Sequence, residues 1–276
     1  MGTQERNKQI FYSDRFDVED ISSLSLFLYS DALSVLARNE HGAVIASHLY
    51  SFGDLAALNN IVAEDSLINA DNTVGKLHVH NDYFCLVPSV LFDPSQRYTY
   101  LKFAAPINEQ VHEVFYEGVD SKNVQVVGAV EKTLTAIFDN ALPDMEISHA
   151  ASLVLSYVCS YKTQLLGQEI YVFAEQQNMY VAAFTGNELK LFNRFPVKDE
   201  QDFLKYTFAI THQLAFDRMY CRITILGDVK GINVDVDVLR EYFKNIQATE
   251  PKSNQTYSPG AEIFKETHLL EAYWTL

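Results

Sequence analysis

The sequence predicts an α/β protein made of two duplicated units, each a mixed β-sheet flanked by helices, with a small insertion in the first. Three observations predict it. A pattern of three apolar runs occurs at 24–29, 33–38 and 43–50, and again at 169–173, 179–184 and 189–195. The turn glycines Gly42 and Gly186 differ by 186 − 42 = 144, as do the opening positions Leu26 and Ile170, and a shared offset points to a repeated unit. Each three-run pattern is followed by helix, strand and helix signals in the same order.

In the first copy, short apolar runs separated by Ser30-Asp31 and by Asn39-Glu40-His41-Gly42 read as a three-strand meander. The polar stretch before it, with Asp14, Asp17, Glu19 and Asp20 around Phe11, Tyr12 and Phe16, reads as a leading strand or a tail. Asp54 is placed to cap a helix whose apolar face carries Leu55, Leu58, Ile61 and Val62. The stretch from Asn69 to Thr73, through Asn72, is a loop, and 76–80 alternates as a strand. Residues 83–88 form a buried strand stopped by Pro88. Residues from about 93 to 120 have no counterpart in the second copy and read as an inserted subdomain. A strand at 123–129, a helix at 131–140, and a strand or bend at 147–151 entering a crossover helix complete the half.

The second meander leads to a helix at 201–214, a strand at 221–228 and a further helix marked by Leu239, Tyr242, Phe243 and Ile246. Residues 249–261 are a loop before a short apolar end, 269 to Leu276. The expected division is 1–150 for the first half with its insertion and 151–276 for the second half and tail.

Composition narrows function. The 276 residues carry 36 acids against 21 bases, a formal charge of −15, with no Lys/Arg cluster, which argues against nucleic acid and anionic lipid as partners. No apolar run approaches the ~18 residues of a membrane span, and the polar start Met1-Gly2-Thr3-Gln4-Glu5-Arg6-Asn7-Lys8 lacks a secretory core. A cytoplasmic location is therefore expected, and the Asn254-Gln255-Thr256 sequon carries no weight. Cys85, Cys159 and Cys221 are far apart in apolar segments, so they are read as small core residues, not as a disulfide or zinc set.

The order of elements, with Ile223-Thr224-Ile225-Leu226-Gly227-Asp228 before a helix, resembles the actin-like ATPase superfamily, whose two units are RNase H-like. More closely, the chain is similar to a family of uncharacterised bacterial proteins with an actin-like ATPase fold, and more distantly to actin-like proteins of pilus assembly and cell division. The resemblance covers about 24 to 246. It implies an ATP and Mg²⁺ site built on a D-x-G pattern in the first hairpin of each unit, where Asp holds the metal or its water and Gly lets the backbone approach phosphate. Leu28 and Ser30 stand at those positions in the first half, and Val172 and Ala174 in the second. Gln176, Gln177 and Met179 replace the small residues implied beside a phosphate, and Gly227 is followed by Asp228 instead of a second glycine. These departures imply loss of hydrolysis. The expected protein is a degenerate binding or scaffold protein with no cofactor and another protein as partner; the alternative is a divergent ATPase or kinase that binds ATP with Mg²⁺ in the interdomain cleft.

Four residues remain as cofactor-binding candidates: Asp31, Glu175, Gly227 and Asp228. Asp31 and Glu175 share the 144 offset and, by the resemblance, point toward the cleft as a pair of carboxylates; the ordinary reading of acids at turns is solvation. His78 and His80 alternate with Asp82 close by, which places two imidazoles on one strand face, but no spaced further ligand accompanies them, so surface or partly buried histidines are expected and no metal. His149 and Cys159 do not pair by spacing, no G-x-S-x-G is present, and no catalytic residue is assigned. The insertion and the tail at Tyr273-Trp274 are the expected partner surfaces.

Overall fold

A computed structural model describes residues 8–71, 73–120, 123–165 and 167–275; the polar start before Lys8, Asn72 of the expected loop and Leu276 lie outside the described residues. The chain divides into two compact units, Met1–Ser152 with Gln255–Phe264, and Leu153–Asn254 with Lys265–Leu276. The segment 255–264 thus belongs to the first unit, although it follows the second in sequence.

The first unit is built on β1 (Lys8–Tyr12), β2 (Ser23–Leu28), β3 (Ala32–Arg38), β4 (Val44–Ser51), β5 (Val74–Val79) and β9 (Glu146–His149). They form one sheet in the order β1-β4-β3-β2-β5-β9, antiparallel through β2 and parallel from β2 to β9. Of the described part of the leading stretch, Lys8–Tyr12 is a strand. Leu24, Leu26, Leu28, Leu33 and Val35 turn one face into a core with Leu58, Ile61 and Val62 of helix α1 (Leu55–Glu64) and Phe138 of helix α3 (Lys132–Phe138). Asp54 caps α1 as expected, accepting from Ala57 N at 2.8 Å. Leu55, expected on the buried face, shares the stripe of the other three but is 47% exposed at the first helical position, where the helix begins.

The insertion is larger than its missing counterpart suggests. β6 (Phe84–Pro88), β7 (His112–Val119) and β8 (Val124–Glu131) form a separate antiparallel sheet, β6-β8-β7, carrying helix α2 (Arg97–Lys102). The runs at 83–88 and 123–129 therefore belong to it and not to the main sheet; an apolar run records that a strand is buried but not which sheet it joins.

The second unit contains β10 (Gln168–Glu175), β11 (Asn178–Thr185), β12 (Glu188–Pro196), β13 (Arg222–Gly227) and β14 (Asn245–Ala248), ordered β12-β11-β10-β13-β14. This is the order and direction of the last five strands of the first sheet. Helix α4 (Ala150–Ser160) begins at the unit boundary. Helix α5 (Glu200–Gln213) packs Phe203 and Ile210 on Ile170, Val172, Ile223 and Ile225. The helix expected through Ile246 is a single turn, α6 (Val236–Leu239); Ile246 is the buried residue of strand β14. A spacing of three and four residues fits a helix, but a four-residue strand is too short to override that signal.

Cys221 is buried and Cys85 and Cys159 are half-buried, and burial pushes the Cys85 thiol up to about 11.

Candidate functional site

In a sheet of this order, ligand chemistry belongs at the carboxyl ends of the parallel strands next to the point where strand direction and order change. In the first unit these are the ends of β2 and β5, paired at Leu28 and Val79, with His80 N donating to Leu28 O at 2.9 Å. Just beyond, Tyr29 and His80 are 4% and 7% exposed and stack with centroids 4.0 Å apart. One strand-step earlier His78, 1% exposed, stacks on Phe27 at 4.7 Å. Burial holds the His78 imidazole well below its ordinary pKa, with Lys76 adding to the effect. The histidines expected at the surface or partly buried are thus interior rings packed on aromatics. Asp82 is exposed, and among the described residues no group of three His, Cys, Asp or Glu could hold a metal ion. Asp31 is exposed at the hairpin tip, where Ser30 Oγ donates to Oδ1 at 3.5 Å.

In the second unit the corresponding ends are those of β10 and β13, paired at Ala174 and Gly227. Glu175 is 7% exposed instead of lying at a solvated tip; its Oε1 is 3.6 Å from Arg194 Nη2, and the guanidinium lies 5.6 Å from the Tyr180 ring. Gly227 has φ +87, and a Cβ there would come within 2.3 Å of Ala174 O, so only glycine fits without a shift. Asp228 N approaches Ala174 O at 3.3 Å, and Asp228 Oδ1 accepts from Gly231 N at 3.0 Å. The Asp228 carboxylate therefore closes its own turn. A cavity of about 260 Å³ lies alongside, lined by Gly227, Asp228, Lys230, Thr249 and His268 among others. It is smaller than the ~300 Å³ at which drug-sized ligand sites begin.

The structure corrects the pairing of the two tips. Leu28 pairs with Leu33 across the first hairpin and Ala174 with Met179 across the second, so the strand offset is 174 − 28 = 146. The 144 offset holds at the turn glycines because Gly42 stands two residues farther from its paired strand position than Gly186 does: 42 − 33 = 9 against 186 − 179 = 7. Glu175 consequently corresponds to Tyr29, and Asp31 to Gln177, so the two acids are not equivalent. The second-unit counterparts of Leu28 and Ser30 become Ala174 and Gln176, and the D-x-G pattern is still absent from both hairpins. The residues present do not fit a Mg²⁺-phosphate cradle: aromatic rings fill one strand end and a buried ion pair fills the other.

The tail does not offer the expected free surface. Tyr273 is 4% exposed, and Trp274 Nε1 donates to Ser156 Oγ at 2.8 Å with its ring edge-on to Tyr157. The insertion does expose apolar side chains: Val90 is 90% exposed and Phe103 89%. Sequence reasoning missed the buried cluster of His48, Asp65 and Tyr50; the clue was a histidine on the core-facing row of an apolar strand.

Residues 14–246 match a family described as "Protein of unknown function (DUF3822)". Comparison with curated proteins finds no match. Among solved structures, the chain is similar to a Bacteroides thetaiotaomicron VPI-5482 protein with actin-like ATPase fold and unknown function. The TM-score is 0.72 at 16% identity, over 84% of this chain and 91% of that one. It is also similar to a chain of the PilM-PilN type IV pilus biogenesis complex, with TM-score 0.57 and 14% identity over 92% and 96%. At these identities the likeness shows the fold, that of the actin-like ATPases. No helix among the described residues is long and apolar enough to cross a membrane.

Proposed function

Because the chain belongs to the family described as "Protein of unknown function (DUF3822)", we propose from its own residues that it is a non-hydrolysing binding or scaffold protein on an actin-like ATPase fold. Its partner is another protein, and its place of work is the cytoplasm. The observation that carries this reading is what fills the two strand ends: Tyr29 stacked on His80 in one unit and Glu175 held by Arg194 in the other. Phosphoryl chemistry needs a metal-holding carboxylate and bare backbone at those places, and neither hairpin has them. The similarity to a protein solved as the PilM-PilN complex supports a protein partner. Isothermal titration of the clean chain with ATP and Mg²⁺ tests the reading: no saturable heat is expected, and micromolar binding overturns it.

A second reading is favoured by one feature, the positive φ of Gly227 beside the 260 Å³ cavity. In it the chain is a divergent ATPase or kinase that takes ATP with Mg²⁺ and uses Asp31, Glu175, Gly227 and Asp228. It predicts phosphate release that falls on Asp31→Asn, and no release from wild-type protein ends it.

A further inference from the structure

We infer that the outer edge of β14 is a docking site for an extended segment of a partner protein, which joins the second unit's sheet as an added strand. The inference rests on the protein-partner reading above and names where and how that partner binds.

β14 is the terminal strand of its sheet, parallel to β13. Thr249 N donates to Ile225 O at 2.9 Å, so the alternation of the strand turns the N–H groups of Ile246 and Ala248 to the other side. Among the described residues no hydrogen bond engages them, and Asn245, Gln247 and Ala248 are exposed. A row of unpaired backbone donors and acceptors is matched by one kind of occupant, another extended backbone.

This edge has open space on both sides of it. Tyr171, Thr224 and Gln247 stand in one row across β10, β13 and β14, on the face turned away from the core. They line a cavity of about 350 Å³. Its floor includes Arg222, whose Nε and Nη2 donate to the two oxygens of buried Glu169 at 2.7 and 2.5 Å, so that the two charges cancel. On the other side Ala248 lines the 260 Å³ cavity with Val229 and Pro251. An added strand sends alternate side chains to opposite faces, so one segment fills both cavities. The chemistry of the linings sets its sequence: a neutral polar side chain such as Ser, Thr, Asn or Gln toward Gln247 and Thr224, and a small aliphatic one toward Ala248 and Val229. Glu250 lines both cavities, but Lys230 also lines the smaller and Lys252 the larger, so the linings set no charge on the residues flanking that pair.

A phage-displayed library of random twelve-residue peptides, panned against the full chain, is the probe. Enriched peptides are expected to alternate polar and aliphatic residues and to slow hydrogen exchange at Ile246 and Ala248. They should lose at least tenfold in affinity on Ala248→Pro, which removes one outward N–H where an edge strand tolerates proline, and on Gln247→Trp, which fills the outer cavity from an exposed position. If Ala248→Pro does not fold, Gln247→Trp alone decides. Failure to enrich any peptide, or enriched peptides that bind both variants within twofold of wild type, overturns the edge. Peptides that bind elsewhere on the chain remove the edge but leave the protein-partner reading standing, and the nucleotide titration judges the loss of phosphate chemistry separately.

Discussion

Asp65 is the residue whose loss the first unit should feel most. It follows α1, its side chain is fully enclosed, and its carboxylate is saturated: Oδ2 accepts from His48 Nδ1 at 2.6 Å and from Tyr50 OH, and Oδ1 accepts from Leu67 N and Ile68 N at 2.8 and 2.9 Å. His48 Nε2 is in turn 2.9 Å from Tyr12 OH, which ties β1 to the same cluster. Asp65→Ala strands four buried donors. Each unsatisfied group costs about 1–3 kcal/mol and loss of one member of a buried pair about 3–5 kcal/mol, so the expected loss is about 3–5 kcal/mol, not the sum, because the donors can partly reorient. Asp65→Asn should cost only about 1–2 kcal/mol, since its oxygen keeps the two backbone donors while its NH₂ faces a His48 that can switch tautomer and accept. The native carboxyl also has a pH signature. Burial acts to raise its pKa, but the hydrogen bond and charge of His48, then Tyr50 OH and Ile68 N–H, overcome it and hold the group below the usual carboxylate range. A carboxyl lower in the folded chain stabilises fully above its unfolded value of about 3.9 and loses that contribution as pH falls through the folded value. Below about pH 4, then, wild type should lose stability more steeply than Asp65→Asn. Urea unfolding followed by far-UV circular dichroism, with hydrogen exchange at β1 and β4, measures both effects. A loss under 1 kcal/mol for Asp65→Ala, or identical acid limbs for wild type and Asp65→Asn, would refute the reasoning.

Two further substitutions probe the second unit, where Trp274 provides a fluorescence signal. Glu175→Ala leaves Arg194 buried without its carboxylate and should cost about 3 kcal/mol; an unchanged unfolding midpoint would argue that Glu175 serves a ligand instead of the fold. Gly227→Ala forces a Cβ against Ala174 O at φ +87 and should cost about 1–3 kcal/mol, read from the shift in thermal midpoint. Stability within 0.5 kcal/mol of wild type, the scale of an ordinary surface change, would mean the backbone relaxes there.

The meanders, α1, α5 and the strand through Gly227 were legible because each carries a full period of apolar residues, helped by local stop signals: Asp54 caps α1 and Gly186 closes a turn at φ +57. β14 was not, because four residues with one buried apolar side chain carry no period of their own. The site was half legible. The missing Asp and Gly at the strand ends can be read directly, but what replaced them depends on partners distant in sequence, Tyr29 with His80 and Glu175 with Arg194. The extent to which His78 and His80 are buried was understated for the same reason: a histidine's exposure follows from what stacks on it, and Phe27 and Tyr29 sit on a neighbouring strand and the turn that follows it.

The two fillings also bear on whether the phosphate site could be recovered by small changes. In the first unit, placing an Asp at Leu28 would put a carboxylate into a fully apolar core position, since Leu28 is 2% exposed among Leu33, Val79 and Leu58. A lone buried carboxylate is costly enough to protonate instead of binding a metal. In the second unit, glycine at Ala174 would free the backbone only if Arg194 and Glu175 also released each other from the neighbouring position. Each unit would need a different set of compensating changes, because one strand end is closed by ring stacking and the other by an ion pair. Two unlike packings at equivalent backbone positions agree with the proposed binding or scaffold role, and they are the reason to test this protein's surfaces and edges first.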